Sequence, residues 1–331
     1  MKKKKINGSI LTFALVAAAY VVVGWLLYTG GVSRQISNML IPISVYIVLA
    51  VSLNLVVGLL GELSLGHAGF MSVGLFSGCL VSIALVNVLP MPVRLPLSMI
   101  AGGLVAAVFG FIVGLPALRL KGDYLAIVTL ACGEIIKNVI TNLDFTGGAL
   151  GLNTGAIYSN AKTLLPYAAI LVLLTAVVMM NLKKSRHGRA IMAIRDNRIA
   201  AESVGINVTR YKLTVFMLAA FFAGAAGTLY GHFFANVKAA SFDYNMSIEI
   251  LVIVVLGGMG SVPGSIIAAI VLTALPEAMR EFADYRMLLY AIVLVLVMLA
   301  TNSPSVREFF ARIHPAALLR RAFGGKRKEE T

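Results

Sequence analysis

The sequence predicts an all-α polytopic membrane protein of about ten transmembrane helices, some of them interrupted, with both termini cytoplasmic. Three observations carry that prediction. Of the 331 residues 59% are hydrophobic and only 13% charged, where a soluble domain is charged at about a quarter of its positions. Apolar runs close to the ~20 residues that cross a bilayer recur from end to end. The remaining charge is mostly basic, net +14, and clustered between those runs. The alternating pattern of an outer-membrane barrel is absent.

Taken in order, the candidate spans are 10–28, 39–57, 68–89, 97–115, 125–143, 164–182 and 213–235, then 247–275 and a last run near 286–301. Lys2 to Lys5 ahead of the first run resemble a signal peptide, with Ala17-Ala18-Ala19 as a mimic of its cleavage site. The run continues through Leu27, so it reads as an uncleaved first helix. The stretch 247–275 holds Gly257, Gly258, Gly260, Ser261, Pro263 and Gly264, which a regular helix does not carry through. Read as two short crossings, 247–259 and 264–279, it makes the number of spans even and puts both termini on one side. The positive-inside rule favours that arrangement. Most of the 28 Lys and Arg sit at Lys2 to Lys5, at Arg119 and Lys121, in the loop 183–212, and in the tail from Arg307 to Lys328. These places are therefore expected to be cytoplasmic. Residues 1–301 form one membrane domain and 302–331 a basic tail suited to anionic lipid; such charge in a chain this apolar points to membrane lipid and not to nucleic acid.

The loop Lys183 to Lys212 is polar without being unstructured. Ile191, Met192 and Ile194 recur at near-helical spacing. Asp196-Asn197 then offers an N-cap to a second short helix from Arg198 to Val204, and Gly205 stands where a helix stops. Ile199, Ala200, Ser203 and Val204 fall on one face of it. A short helix with a small apolar face between membrane spans is shaped to be gripped by something soluble.

Ionisable residues inside apolar runs are costly and become functional candidates by default. Glu62 and His67 lie with Ser64 in a glycine-rich break between Gly58 and Gly69. Helix-end capping and a role lining a pathway both remain open for them. Glu134 and Lys137, three residues apart, read first as a self-neutralising pair. Glu249 reads as an acid near a helix start, favoured by the helix dipole. Two interrupted segments in opposite halves point to a pathway between them, which makes Gly257, Gly258, Gly260 and Ser261 candidates beside Glu62, Ser64, His67 and Glu134. Irregular backbone at membrane depth is tolerated where it is buried in protein or lines a wet cavity.

Catalysis within this chain is not expected. No Gly-x4-Gly-Lys-Ser/Thr, HExxH, paired CxxC or Gly-x-Ser-x-Gly occurs, and GGMGSVPG sits in an apolar run and not after a soluble strand. Cys79 and Cys132 both lie in apolar runs and imply neither a disulfide framework nor a metal site. His187, His232 and His314 are scattered singles. An ion-coupled secondary transporter would need embedded acids, and Glu62 and Glu134 are its only good candidates.

Several blocks in order resemble the permeases of branched-chain amino-acid ABC transporters, of the LivM type. They are NLVVGLLGELSLGHAGF (54–70), LRLKGDYLAIVTLACGEIIKNVI (118–140), TGGALGL (146–152), GRAIMAIRDNRIAAESVGINVTRYKL (188–213), FFAGAAGTLYGHF (221–233) and SIEILVIVVLGGMGSVPGSIIAA (247–269). The resemblance implies a transmembrane subunit of an ATP-driven importer for leucine, isoleucine and valine. Related permeases serve urea, short amides or other amino acids. It also implies a second, related permease, two ATP-binding cassette subunits that bind ATP and Mg, and an extracytoplasmic substrate-binding protein. No cofactor belongs to this chain. Arg198, Ile199, Ala200, Ala201, Glu202, Ser203, Val204 and Gly205 match the segment that docks on the ATPase; the acid here follows the alanines, where the wider superfamily places it before them. Thr146, Gly147 and Gly148 become candidates for docking the binding protein.

Overall fold

The computed structural model describes residues 8–278 except 32 and 121, together with the isolated positions 292 and 295. The expected last span at 286–301, the basic tail and the boundary between them lie outside the described residues, as do Lys2 to Lys5. The chain divides into two compact units, 1–274 and 275–331.

Eleven α-helices follow one another among the described residues: α1 (Gly8–Tyr28), α2 (Arg34–Asn54), α3 (His67–Ala84), α4 (Met91–Ala117), α5 (Asp123–Thr141), α6 (Ala161–Lys184), α7 (Arg186–Asp196), α8 (Arg198–Ser203), α9 (Val208–Phe233), α10 (Tyr244–Gly257) and α11 (Val262–Ala278). Seven helical stretches are long and apolar enough to cross a membrane, from Arg34–Leu60 to Ala239–Gly257, and α1 and α11 contribute shorter apolar stretches. The chain is therefore a multi-pass helical membrane protein. A detail absent from the all-α expectation is a two-stranded antiparallel ribbon. In it β1 (Leu152–Asn153) pairs with β2 (Asn236–Val237), tying the 144–160 loop to the end of α9.

Which helices form the core follows from their small residues. In lipid, helices are held by close packing and not by hydrophobic exclusion. At the α3–α9 crossing a Cβ on Gly74 would overlap the Gly224 backbone, and a Cβ on Gly224 would overlap Ala106 and the Gly102 carbonyl of α4. Thr228 Oγ1 in α9 donates to the Gly74 carbonyl at 2.9 Å. Gly102 of α4 enters the same contact. The Arg34–Leu60 stretch is 89% buried and α9 67%, whereas α5 is 28% buried, so α5 lies at the periphery of the isolated chain. Helix α1 rests on the bundle with Tyr20 donating from its hydroxyl to Ser44 Oγ at 2.8 Å.

The two glycine-rich breaks take defined forms. Helix α2 runs on into a π-helical segment, Leu55–Leu60, which ends at Gly61 in a left-handed conformation, φ 77°. The chain is irregular until α3 begins at His67. The second break is shorter: α10 stops at Gly257, Gly258 and Gly260 adopt φ of 90° and 80°, and α11 starts at Val262. Only glycine takes up such angles without strain.

Candidate functional site

At one end of the bundle the breaks meet each other and the basic loop. Gly58 lies against Gly260 so closely that a Cβ at Gly58 would overlap the Gly260 backbone. Asn54, at the last turn of α2 and fully buried, joins them. Its Oδ1 accepts from the Gly260 N–H at 2.7 Å, and its Nδ2 donates to Ser265 Oγ at 2.7 Å and to the Ser261 carbonyl at 3.2 Å. Two cations of the loop reach the same joint. Lys183 Nζ donates to the Gly260 carbonyl at 2.7 Å, and Arg195 Nη1 to the Gly58 carbonyl at 3.1 Å. Backbone groups released by a broken helix need partners, and here side chains supply them.

The loop folds as its sequence dictates. Ser185 caps α7 by accepting from the Gly188 N–H at 3.0 Å, and Ile191 and Ile194 on its inner face are 2% and 4% exposed. Asn197 caps α8, accepting from the Ala200 N–H at 3.1 Å. At the far end Gly205 takes φ 82°, and the Ile206 N–H reaches back to the Ala201 carbonyl at 3.1 Å, the closing bond of a Schellman turn. The helix ends at Ser203, one residue short of the expected Val204. Ala201 faces inward, 3% exposed, while Ile199 and Val204 are 80% and 75% exposed. Arg198 and Glu202 pair along the helix at 2.9 Å. A cavity of about 470 Å³ opens beside α8, lined by Gly61, Glu62, Arg195, Asn197, Ile199 and Lys212 among others.

Glu62, His67, Glu134, Glu249 and His232 are all partnered, and His314 lies outside the described residues. Glu62 forms an ion pair with Lys212 of α9, their side chains 15% and 4% exposed. Ser64 is buried in the break. His67 opens α3 with its Nε2 bonded to Ser52 Oγ at 2.9 Å. Glu134 pairs with Lys137 and also accepts from the Tyr244 N–H at 2.9 Å, so it caps the first turn of α10 and stands apart from Glu62 and the joint. Glu249 is not at the helix start where the dipole reading put it. Asp243 provides the cap, accepting from the Met246 N–H at 3.1 Å, and α10 begins at Tyr244. Glu249 falls in the second turn and accepts instead from the Tyr46 hydroxyl at 3.1 Å. His232, noted as a single histidine, is fully buried and bonded through both ring nitrogens, to Ser82 Oγ and the Thr228 carbonyl, each at 2.8 Å.

At the opposite end, the loop after α5 carries the candidates Thr146, Gly147 and Gly148. Thr146 turns inward, 2% exposed, and donates to the Ile140 and Leu143 carbonyls at 2.6 and 2.7 Å. Gly147 and Gly148 take positive φ. What the loop offers to solvent is Phe145 and Leu150, 64% and 82% exposed. Sequence reasoning missed both, and it missed Asn54 and Ser265 because uncharged polar residues in an apolar run raise no alarm. Polar groups between membrane helices are nonetheless a recurring form of glue. Among the described residues no group of three or more His, Cys, Asp or Glu is placed to hold a metal.

A bundle of apolar spans with two broken helices joined at one end, and a short exposed helix carried beside that joint, defines a membrane transport subunit of the permease class. Comparison with known proteins agrees. The family described as branched-chain amino acid transport system, permease component, matches residues 35–301, and the chain belongs to that family. It is 37% identical over 319 residues to the high-affinity branched-chain amino acid transport system permease protein LivM of Salmonella typhimurium, covering 86% of this chain and 72% of that one. The corresponding Escherichia coli protein is 36% identical over 320 residues, with the same coverage. More distantly, the ribose import permease protein RbsC of Haemophilus influenzae is 27% identical over 287 residues, 81% of this chain and 85% of that one. The family is one of transport permeases, not of enzymes.

Proposed function

We propose that this chain is the transmembrane subunit of an ATP-driven importer of leucine, isoleucine and valine, working by alternating access. The observation that carries the reading is α8, a capped helix whose Ile199, together with Val204 at its C-cap, stands bare beside the joint of the two breaks. Exposed apolar side chains held in a fixed geometry mark a docking site. In this reading the end bearing the basic loop is cytoplasmic, α8 seats in an ATP-binding cassette subunit, and ATP and Mg are bound there and not here. A second, related permease completes the membrane unit, and an extracytoplasmic binding protein delivers substrate at the end bearing Phe145 and Leu150. Glu62 and Glu134 are committed to Lys212 and Lys137, which argues against proton or sodium coupling through them.

The test is purification of the chain with its native partners and reconstitution in vesicles with the cognate binding protein. Uptake of leucine, isoleucine and valine should require ATP on the α8 side and survive collapse of the proton gradient. Uptake that tracks the gradient would overturn the ABC assignment. ATP-driven uptake of urea, short amides or other amino acids in their place would overturn the substrate alone. In the same system Ile199→Asp or Val204→Asp should release the ATPase or uncouple transport while the bundle stays folded. Normal import with a bound ATPase would remove α8 from the docking role.

A further inference from the structure

Helix α8 touches the soluble partner in the reading above, but something must carry its movement into the bundle. The structure places one set of contacts where that transfer has to occur. Helix α7 ends a single residue before α8 begins, so the two move as a jointed arm. One cation, Lys183, lies in the last turn of α6, and the other, Arg195, lies in the last turn of α7. Both converge on the joint of the breaks, Lys183 on the Gly260 carbonyl and Arg195 on the Gly58 carbonyl. The carbonyls belong to different broken segments, and Asn54 ties those segments together from inside the bundle. Arg195 is further pressed against Gly61, where any Cβ would collide with its side chain.

The chemistry of the two kinds of tie differs. Asn54 and Ser265 are fully buried, and neutral hydrogen bonds sealed from water are costly to leave unmade. The Lys183 contact is exposed and the Arg195 side chain is 41% exposed, so water can replace the protein acceptor when these cations leave. A buried hinge pin and two water-replaceable hooks together form a catch that opens without unfolding anything.

We propose that Lys183 and Arg195 are positioning residues for transport, a two-point latch by which the adjoining ends of α6 and α7 hold the Gly58–Gly260 joint, with Asn54 as its fixed pin. This inference rests on the ATP-driven reading of the chain. Displacement of α8 moves α7 and, through the turn at Ser185, the end of α6, which withdraws Arg195 and Lys183 from their carbonyls and frees the two broken helices to move about the Asn54 contact. The latch touches neither nucleotide nor substrate, so its loss separates hydrolysis from uptake and leaves the motor running.

The test uses the complete transporter in vesicles with its binding protein, measuring ATP hydrolysis and substrate uptake in the same sample. The double variant Lys183→Ala/Arg195→Ala should keep hydrolysis within about twofold of wild type. Uptake per ATP should fall about tenfold or more, as expected when two charge-assisted bonds are lost from one conformational state. Arg195→Lys in the Lys183→Ala background, which restores a cation but not the planar fork, should recover part of the ratio. The pin is tested separately with Ser265→Ala, which removes one buried partner of Asn54 and should lower the melting temperature as well as the coupling ratio, a combination the double variant does not show. An unchanged uptake-to-ATP ratio in the double variant overturns the latch. So does a parallel loss of uptake, hydrolysis and thermal stability, which would mean that the cations merely hold the fold. If the wild type shows no ATP-dependent uptake, it is the functional reading that fails, and that outcome is visible before any variant is made.

Discussion

The pair Glu62–Lys212 gives the sharpest discrimination between a structural and a transport role for an acid in the first break. Lys212 is 4% exposed and Glu62 15%, so replacing either alone leaves a charge with little water to take the partner's place. Breaking a buried pair in this way costs about 3–5 kcal/mol, whereas replacing both partners by neutral groups is often close to neutral. With about 2–4 °C of melting temperature per kcal/mol in a domain of 150–250 residues, Glu62→Gln or Lys212→Met should each lower the transition by roughly 6–20 °C. The double variant Glu62→Gln/Lys212→Met should recover most of that loss. Melting of the detergent-purified complex, followed by fluorescence or by loss of the monodisperse peak, supplies the three numbers of the cycle. Uptake supplies the second axis: if Glu62 only neutralises Lys212, the double variant imports nearly as wild type. Losses that simply add would refute the buried-pair argument. A double variant that melts like wild type but imports nothing would return Glu62 to the pathway.

Four variants probe the packing and the loops. Gly224→Val should disrupt the α4–α9 contact, because its added atoms enter Ala106 and the Gly102 backbone; it should accumulate poorly in the membrane, while Gly205→Ala, with open space around its Cβ site, should cost only about 1 kcal/mol of left-handed strain at α8 and leave accumulation unchanged. At the other end, Leu150→Asp should weaken stimulation of the ATPase by the binding protein without altering the melting temperature. Thr146→Ala, which removes the one hydroxyl proton shared between the Ile140 and Leu143 carbonyls, should instead destabilise the loop by about 1–3 kcal/mol, read as a lower melting temperature.

What the sequence made legible was what is decided locally. The caps of α8 are fixed by Asn197 and Gly205 acting on backbone within a few residues, and both could be named before any coordinate. The Glu134–Lys137 pair is visible at a spacing of three, and both breaks are visible as runs of glycine. The contacts that give these pieces meaning are not local. Glu62 meets Lys212 across 150 positions and Gly58 meets Gly260 across more, and no periodicity announces either. Facing was the other weakness. Thr146 sits in a glycine-rich loop that looks like a docking edge, yet its hydroxyl is consumed by carbonyls at the end of α5. Glu249 was tied to the wrong helix start because Asp243, the better cap, lies just outside the apolar run.

Because α8 is closed at both ends by its own residues, Asn197 in front and Gly205 behind, its shape depends little on the bundle beneath it. The stretch from Asn197 to Ile206 is in that sense an interchangeable plug. On the docking role proposed for α8, Ile199 and Val204 could change to suit a different motor while the membrane contacts stay as they are, and one motor could serve several permeases that share the plug. Exchanging those ten or so residues between two family members should therefore exchange their ATPases and leave their substrates where they were.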